Sequence, residues 1–378
     1  MVRTPHRRAL IAASAALALA LLGAPGALAS TVTVTGGNTV RVAESGDEVN
    51  RITVTYDAIG DLYSVNDAAA NLTPSGTCSL VNEHVSICPG AGITTIAVDT
   101  DARDDSIALD PATIPASVTE RLDGGAANDT VSGANGPGTV QGGLGDDVVS
   151  GHGTVEGNGG NDTVVGSPGA ENIRGNGGRD ILDGGGGPDD ILGGTSGGAD
   201  TLVYPGRVTA ISVTIGSGNR NDGGVEDQGA SGRDTVHGDV ESVIGTAQND
   251  FLAGDSSSET LIGAAGDDTL VGNSGQDTLL GLEGNDLILG GNGRDLLRGW
   301  LGNDREFGGP QADRVSGGPG RDLVVGNLGS DVLKGKKGID FLKAKDGTRD
   351  FKINCGAGNN RAEGATRDRH LDPRTKSC

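Results

Sequence analysis

Glycine, acidic and aliphatic positions recur along this chain with a period of nine residues. From Gly245 to Lys343 eleven units follow one another without an insertion, and every unit opens with Gly and carries an acid at its sixth place. The eighth place is aliphatic in ten of the eleven units, and Glu306 is the exception. The eleven acids are Asp250, Glu259, Asp268, Asp277, Asp286, Asp295, Asp304, Asp313, Asp322, Asp331 and Asp340.

Each unit predicts a turn followed by a short strand. Glycine reaches positive φ at little cost, so a Gly-rich segment that ends in Asp bends tightly. Three residues around one aliphatic side chain are too few for a helix, and a period of nine fits neither a helix nor a heptad. Two consecutive units then make one circuit of a coil whose strands stack as parallel sheets. The predicted fold class is all-β, a parallel β-roll solenoid.

Such a coil stacks its acids in two rows. Neighbouring strands lie about 4.8 Å apart, and two bare carboxylates at that distance repel by roughly 3 kcal/mol at an effective dielectric of about 20. A cation between successive turns would remove this repulsion. Carboxylates and turn carbonyls are hard oxygen ligands that suit Ca²⁺, whereas the turns of this block lack the Cys and His that zinc or copper prefer.

The unit resembles the calcium-binding nonapeptide GGxGxDxUx of the RTX, or haemolysin-type, family. Gly142–Ser150 and Gly317–Val325 match every defined position of that motif. The resemblance implies a parallel β-roll in which several Ca²⁺ ions are held between neighbouring turns by sixth-place Asp side chains and backbone carbonyls. The implied ligands are Asp129, Asp147, Asp162, Asp180, Asp189, Asp200, Asp250, Asp268, Asp277, Asp286, Asp295, Asp304, Asp313, Asp322, Asp331 and Asp340.

An earlier block of units is less regular. Glu171 takes the acidic place in one unit, Gly138 stands where an acid is expected, and Gly151–Glu156 spans only six residues. We expect ions to be missing at the Gly138 turn and beside the short unit. The aliphatic places continue through this block, which predicts that the coil continues as well.

These patterns divide the chain into six segments. They are a signal peptide (1–29), a β-rich N-terminal cap that starts the solenoid (30–122), a first repeat block (123–203), an interruption (204–244), the eleven-unit block (245–343) and a basic C-terminal cap (344–378). The interruption alternates apolar and polar residues over 208–215 and is interpreted as an extension or seam of the roll, with a separate ligand site as the alternative. The acidic run 99–105 is interpreted as a solvated turn, with a further calcium site as the alternative, since it lacks the Gly and distal Glu of an EF-hand loop.

The N-terminus carries the features of a secretion signal. Arg3, Arg7 and Arg8 precede an apolar run over 9–22, and small residues end the segment at Ala29. We therefore expect a secreted protein, extracellular or associated with the cell surface, without a transmembrane segment. RTX proteins are often exported through an uncleaved C-terminal signal, so the export route of the family is not transferred to this chain.

Four cysteines in a secreted chain predict disulfides. Three connectivities are possible, and the positions favour Cys78 with Cys88 and Cys355 with Cys378. Both pairs lie outside the repeats, where the end coils of a solenoid need capping. We expect one disulfide in each cap.

Charge narrows the choice of partners. The net charge of −22 makes nucleic acid an unexpected partner. The stretch 334–378 is instead net basic, with twelve Lys or Arg against six Asp or Glu. It is interpreted as a cap whose cations offset the acidic roll, and the alternative is a tether to an anionic wall polymer or lipid. The sequence leaves the oligomeric state open.

Two functions of different classes fit these features. The first is a secreted calcium-binding β-roll that folds on Ca²⁺ and has a structural, adhesive or matrix role, with cell-surface or matrix polysaccharide as a candidate partner. The second is a solenoid carbohydrate-active enzyme, or a non-catalytic module of a secreted hydrolase system. The chain has no HExxH motif, and its GxSxG match at 194–198 lies within repeat spacing with no predicted helix after the serine. The first function, without catalysis, is favoured.

Glu306 places a carboxylate in the aliphatic file. An ionised side chain inside the coil would be costly. We therefore expect a local defect, in which Glu306 escapes through a distorted strand or Phe307 takes the inward place.

Overall fold

The computed structural model describes residues 30–44, 49–195, 197–218, 222–224, 233–344 and 352–363. These residues form strands and turns, and none of them lies in a helix. Accordingly, the described part of the chain contains no helix that could span a membrane. The predicted signal peptide and the last fifteen residues lie outside the described part.

One sheet, here called the continuous sheet, runs the length of the solenoid. Its strands pair in parallel from Arg51–Asp57 through Lys352–Asn354, and an antiparallel extension covers its first edge. In chain order the strands are Arg51–Asp57, Leu62–Asp67, Ser79–Asn82, Val85–Pro89, Ser106–Leu109, Thr130–Ser132, Val148–Ser150, Thr163–Val165, Ile181–Asp183, Thr201–Val203, Ser242–Ile244, Thr260–Ala265, Thr278–Glu283, Leu296–Leu301, Arg314–Gly320, Val332–Gly338 and Lys352–Asn354.

The opposite wall of the coil is divided between two sheets. The N-terminal sheet contains Ser30–Thr35, Thr39–Ala43, Leu72–Ser75, Thr95–Asp99, Thr119–Ala126, Gly138–Leu144, Thr154–Gly159, Asn172–Gly177, Asp190–Leu192 and Thr235–Val236. The C-terminal sheet contains Ser212–Thr214, Phe251–Ala253, Thr269–Val271, Leu287–Leu289, Arg305–Pro310, Leu323–Leu328, Phe341–Lys343 and Arg361–Glu363. A further pair, Ser274–Gly275 with Asn292–Gly293, lies in the turns.

Two units make one circuit, so residues pair with partners one circuit away. Leu270 pairs with Ile288, for example, and Leu279 pairs with Leu297. These central side chains are fully buried and form a single file between the two walls. The predicted all-β parallel β-roll is therefore confirmed.

The N-terminal cap is built differently from the roll. Ser30–Ala43 and Arg51–Asp67 fold as antiparallel hairpins, and their inner residues close the first coil. The predicted Cys78–Cys88 disulfide is present in this cap. Cys355 is fully buried. Its predicted partner, Cys378, lies outside the described residues, so that pairing stays a prediction.

The two sheets of the divided wall meet within 204–244. Thr235–Val236 ends the N-terminal sheet, and Ser212–Thr214 begins the C-terminal sheet. The fully buried Asp222 lies between them, where its carboxylate accepts hydrogen bonds from the backbone amides of Thr214 (2.7 Å) and Val236 (3.2 Å). Isolated antiparallel bridges of Asp222 with Asp234 and of Gly223 with Ser212 also join the two sheets, so the side chain and the backbone of this segment connect them together.

The prediction of a local defect at Glu306 is wrong. Glu306 is fully buried and keeps the regular register between Ile288 and Val324, while Phe307 points outward. The parallel ladders on both sides hold the strand in register, so the side chain has no route out of the coil. Burial, with the nearby carboxylates of Asp322 and Asp304, raises the pKa of Glu306 well above its ordinary value.

Candidate metal centre

The sixth-place acids stack along the edges of the coil and are linked by their own backbones. The amide of Asp268 donates a 2.9 Å hydrogen bond to Oδ1 of Asp286, one circuit later, and the amide of Asp286 donates in the same way to Asp304. The row that precedes the C-terminal sheet consists of Asp250, Asp268, Asp286, Asp304, Asp322 and Asp340, and it ends on the amide oxygen of Asn360.

A longer row precedes the continuous sheet. It joins acids of both repeat blocks along one edge of the roll. Its members are Asp105, Asp129, Asp147, Asp162, Asp180, Asp200, Glu241, Glu259, Asp277, Asp295, Asp313 and Asp331. A short third row beside the N-terminal sheet runs from Glu171 through Asp189 to Asp234.

The second carboxylate oxygen is buried without a hydrogen-bond partner in most of these aspartates. In each case Oδ1 accepts the amide bond, and Oδ2 faces the turn with no donor in reach. This holds for Asp129, Asp147, Asp162, Asp180, Asp268, Asp277, Asp286, Asp295, Asp304, Asp313, Asp322 and Asp340. An unsatisfied buried carboxylate oxygen is expensive. Its repetition along a row indicates that each turn is shaped for a cation.

Asp250 differs from the other aspartates in its row. Its Oδ2 accepts hydrogen bonds from the backbone amide and the hydroxyl of Thr246, at 2.5 and 3.1 Å. This unit carries Thr at the second place, so a hydroxyl occupies one side of the carboxylate. Asp250 is therefore the predicted ligand whose oxygen atoms are best satisfied by the protein itself.

The repeated glycines make room for this arrangement. A Cβ on Gly281, the first residue of its unit, would overlap Oδ2 of Asp286. A Cβ on Gly302, the fourth residue of its unit, would overlap the carbonyl oxygen of Gly284 in the preceding circuit. The first glycine thus admits the carboxylate, and the fourth lets successive turns approach closely.

Burial and crowding raise the pKa values of the row carboxylates. Burial, followed by the neighbouring carboxylates of the row, raises the pKa of Asp268 to about 7 and that of Asp313 to about 8. The same causes raise the pKa of Asp129 and Asp162 to about 7. A bound divalent cation would favour the ionised carboxylates and reverse these shifts.

The donor set fits calcium if backbone carbonyl oxygens complete each site. Nowhere in the described ranges do three or more His, Cys, Asp or Glu side chains converge on one point. Each ion would therefore combine carboxylate oxygens with the carbonyl oxygens of the stacked turns. Oxygen-only coordination of this kind is what Ca²⁺ accepts.

Comparison with protein families agrees with this chemistry. The family model of the RTX calcium-binding nonapeptide repeat matches residues 123–153, 156–191, 165–202, 239–270, 271–306 and 307–342. The repeat region belongs to the RTX family. RTX nonapeptide repeats bind multiple Ca²⁺ ions, and the proteins that carry them are typically secreted. A comparison with curated proteins finds no match to this chain.

In the irregular RTX units, side chains of the protein form hydrogen bonds within the turns. At the Gly138 turn, the buried Glu120 carboxylate accepts the backbone amides of Ala134 and Gly136, both at 2.8 Å. Next to the six-residue unit, the carboxylate of Glu171 contacts Nδ1 of His152 at 2.6 Å and accepts the hydroxyl of Ser167 at 2.9 Å. Protein donors thus occupy the turns at which missing ions are predicted.

Three row members lie outside the repeat units that the sequence defines. Asp105 is buried in the long row, although its acidic run was interpreted as a solvated turn. Glu241 and Asp234 lie in the interruption, where the nonapeptide disappears. All three are followed two residues later by an aliphatic residue, Ile107, Val243 or Val236. The pattern of an acid followed two residues later by an aliphatic residue was the signal in the sequence that could have identified these row members.

The GxSxG match carries no structural support for catalysis. Its serine, Ser196, lies outside the described residues. The match falls in the loop between Asp190–Leu192 and Thr201–Val203, two strands on opposite walls of the roll. The strand after the serine therefore continues the RTX coil.

Proposed function

We propose that this protein is a secreted β-roll that folds on Ca²⁺ and has a structural, adhesive or matrix role outside the cell. The observation that carries the proposal is the column of buried Oδ2 atoms without donors, repeated at one-circuit intervals along two edges of the roll. Such a column is stable when cations lie between its members.

The ligands in this proposal are the sixth-place aspartates of the two long rows, with Asp189 in the short third row. Asp105 and Glu259 join them, because each has a buried carboxylate oxygen without a donor in the same arrangement. Backbone carbonyls of the neighbouring turns would complete each coordination shell. Bound calcium would supply positive charge between turns and so join one circuit to the next.

Composition explains why folding should depend on these ions. The chain contains 69 Gly and 2% aromatic residues, so it loses much entropy on folding and buries only a single aliphatic file. With extracellular Ca²⁺ at roughly 1 mM and a site Kd near 10⁻⁴ M, linkage contributes about 1.4 kcal/mol per ion. Several ions together would contribute as much as an ordinary domain's whole stability.

A non-catalytic role is supported by where the carboxylates lie. The buried acids are aligned in the turns and bonded to backbone amides, rather than paired on an exposed sheet face as a solenoid hydrolase would require. The outward positions of the C-terminal sheet, such as Leu287, Phe307 and Phe341, are mainly apolar. This surface suits contact with another molecule better than acid–base chemistry.

Secretion is part of the proposal and has its own test. Mass spectrometry of the protein from the culture medium should find a mature N-terminus at Ser30, after the small-residue site. Retention of the N-terminal segment in a cell-associated protein would contradict the proposed export.

Calcium-dependent folding is tested by circular dichroism of the full mature chain. At neutral pH we expect little strand signal in calcium-free buffer and a cooperative gain as Ca²⁺ is added. Mg²⁺ at equal concentration should be much less effective because it demands near-octahedral geometry. Full strand content in a chelator would contradict the proposal. Isothermal titration on the same sample would count the ions.

A further inference from the structure

The single tryptophan of the chain lies on the outside of the roll, at one end of a shallow groove. Trp300 ends the outward face of the strand Leu296–Leu301 and is 49% exposed, next to Leu301 at 50%. The groove has a volume of about 570 Å³ and follows the stacked turns past Leu282, Ala264 and Thr246. An exposed indole beside small and apolar side chains forms a flat platform.

Cations continue this surface in the C-terminal direction. Arg298 lies two residues before Trp300 on the same strand, and Lys336 is two circuits further along the column that contains Leu282, Trp300 and Gly318. Arg298, Arg314, Lys336 and Lys337 are exposed, and Lys334 is half-buried. Among the described residues none of these five forms a salt bridge. Free cations gathered in this way are notable in a chain of net charge −22.

The spacing of the cations follows the rungs of the continuous sheet. Arg298 aligns with Ser316 and then Lys334, so two guanidinium or ammonium groups lie two rungs apart. With rungs about 4.8 Å apart, the separation is on the order of 10 Å along the surface. This is similar to the length of one disaccharide in an extended polymer.

We propose that this surface, defined by Leu282, Arg298, Trp300, Lys334, Lys336 and Lys337, binds an acidic polysaccharide. A sugar ring packs its apolar face on the indole of Trp300, and carboxylate or sulfate groups of the following sugars bind Arg298 and the lysines. The inference rests on the proposed function, because the rungs that align these residues require the folded roll.

Charge distribution favours this partner over nucleic acid and lipid. The groove leads from the cations toward Glu283 and neutral turn residues, so only part of the surface attracts anions. Nucleic acid carries closely spaced phosphates along its whole length, and many of these would be repelled by the acidic rest of the protein surface. A polysaccharide with widely spaced charges and apolar sugar faces between them matches both the cationic part of the surface and the neutral groove beside Trp300.

The intrinsic fluorescence of Trp300 reports binding directly, since the chain has a single Trp. We expect hyaluronate, a carboxylated polymer of disaccharides, to change the emission of the calcium-loaded chain in a saturable way that weakens with added salt. Neutral dextran should leave the emission unchanged. A saturable response to dextran, or none to hyaluronate and chondroitin sulfate, would overturn the proposal.

Charge reversal tests the location of the surface. The double variant K336E/K337E should weaken hyaluronate binding at least about tenfold, and W300A should weaken it to a similar extent by calorimetry. The matched control is R294E, which reverses an exposed cation on the opposite edge of the same block and should change binding less than about twofold. Equal loss in R294E would indicate general charge attraction and contradict the assigned surface.

Two further measurements separate the possible failures. Circular dichroism of each variant and of the wild type in excess Ca²⁺ shows whether the roll is folded. A wild-type chain that does not fold on calcium contradicts the proposed function itself. A folded wild-type chain that does not bind hyaluronate contradicts only this inference. Vesicles containing phosphatidylglycerol and a DNA duplex serve as competing anions. Binding to either one in preference to hyaluronate would overturn the polysaccharide assignment.

Discussion

The backbone amide of Asp304 donates a 3.1 Å hydrogen bond to Oδ1 of Asp322, which lies one circuit later in the chain. This bond satisfies half of the Asp322 carboxylate and leaves Oδ2 buried without a donor. Each aspartate therefore has a structural oxygen, which sets the distance between circuits, and a second oxygen that needs a cation.

Replacing Asp268 by Asn should reduce calcium binding without breaking the row. The amide oxygen of Asn can still accept the Asp250 amide at 2.8 Å, but the negative charge is lost. We expect isothermal titration to show at least one ion fewer and a higher calcium midpoint for folding. The control is D267N, because Asp267 is adjacent in sequence and exposed. Identical stoichiometry in both variants would argue against Asp268 as a ligand.

Without calcium, the roll should be more stable in acid than at neutral pH. The folded-state pKa of Asp268 is about 7 and that of Asp313 about 8, both above the ordinary value of 3.8. Carboxyls with raised pKa stabilise the fold below their unfolded pKa, and this contribution is lost as the pH rises through the folded value. The loss should therefore extend from about pH 4 to about pH 8.

Circular dichroism of metal-depleted protein across that range measures the effect, and we expect more strand signal near pH 4 than near pH 8. Excess Ca²⁺ should flatten or reverse the pH dependence, because calcium binds the deprotonated carboxylates. A calcium-free strand signal that increases steadily from pH 4 to pH 8 would have the opposite sign and would contradict this prediction.

Replacing Glu306 by Leu should stabilise the protein. Leu restores the aliphatic file and removes two buried oxygens that lack hydrogen bonds, so we expect a gain of about 2 to 4 kcal/mol in the free energy of unfolding. The gain should grow as the pH rises above the ordinary Glu pKa of 4.5, because the folded-state pKa is raised and ionisation favours the unfolded chain. Chemical denaturation in excess Ca²⁺ tests both statements.

The variant E306Q separates charge from polarity in this experiment. Gln cannot ionise, so its stability relative to E306L should stay constant with pH. If wild type, E306Q and E306L respond to pH alike, the pKa of Glu306 is not raised in the folded protein.

Alanine at Gly302 should disrupt the stacking of turns. Gly302 has a φ of +150°, and its Cβ would overlap the carbonyl oxygen of Gly284. We expect a loss of about 3 kcal/mol from strain and overpacking together. Gly206 is the control, since it also has a positive φ of +74° but nothing within 4 Å of its Cβ position, so G206A should cost only about 1 kcal/mol. Equal losses would show that backbone strain alone governs these glycines.

The two histidine–carboxylate pairs should differ in their contribution to stability. His152 contacts the fully buried side chain of Glu171 at 2.6 Å, whereas His237 contacts the half-exposed Asp190 at 2.7 Å. Removal of His152 leaves a buried carboxyl without this partner, so H152A should cost about 3 kcal/mol. H237A should cost about 0.5 kcal/mol. Thermal denaturation of both variants at the same Ca²⁺ concentration measures the two losses. A smaller loss for H152A than for H237A would contradict the interpretation that the His152–Glu171 contact takes the place of a bound ion.

Local periodicity was sufficient to predict the regular part of the molecule. In the eleven-unit block every circuit repeats the same short-range rule, because Gly shapes the turn, Asp follows it, and one aliphatic residue points inward. Contacts such as Leu270 with Ile288 follow from the period alone. The same reasoning placed Asp268 and Asp286 in one row, as the hydrogen bonds between them require.

The sequence by itself determined the β-roll, its aliphatic file and its rows of acids, since all three follow from a period of nine residues. Only the tertiary structure decided where a non-repeating residue goes. Asp222 bridges two sheets across the seam, Asp105 and Glu241 join the long row, and Glu306 stays inside the coil. Their positions depend on partners one or more circuits away, and the cooperative strand ladders that fix those partners outweigh the local preference of a single side chain.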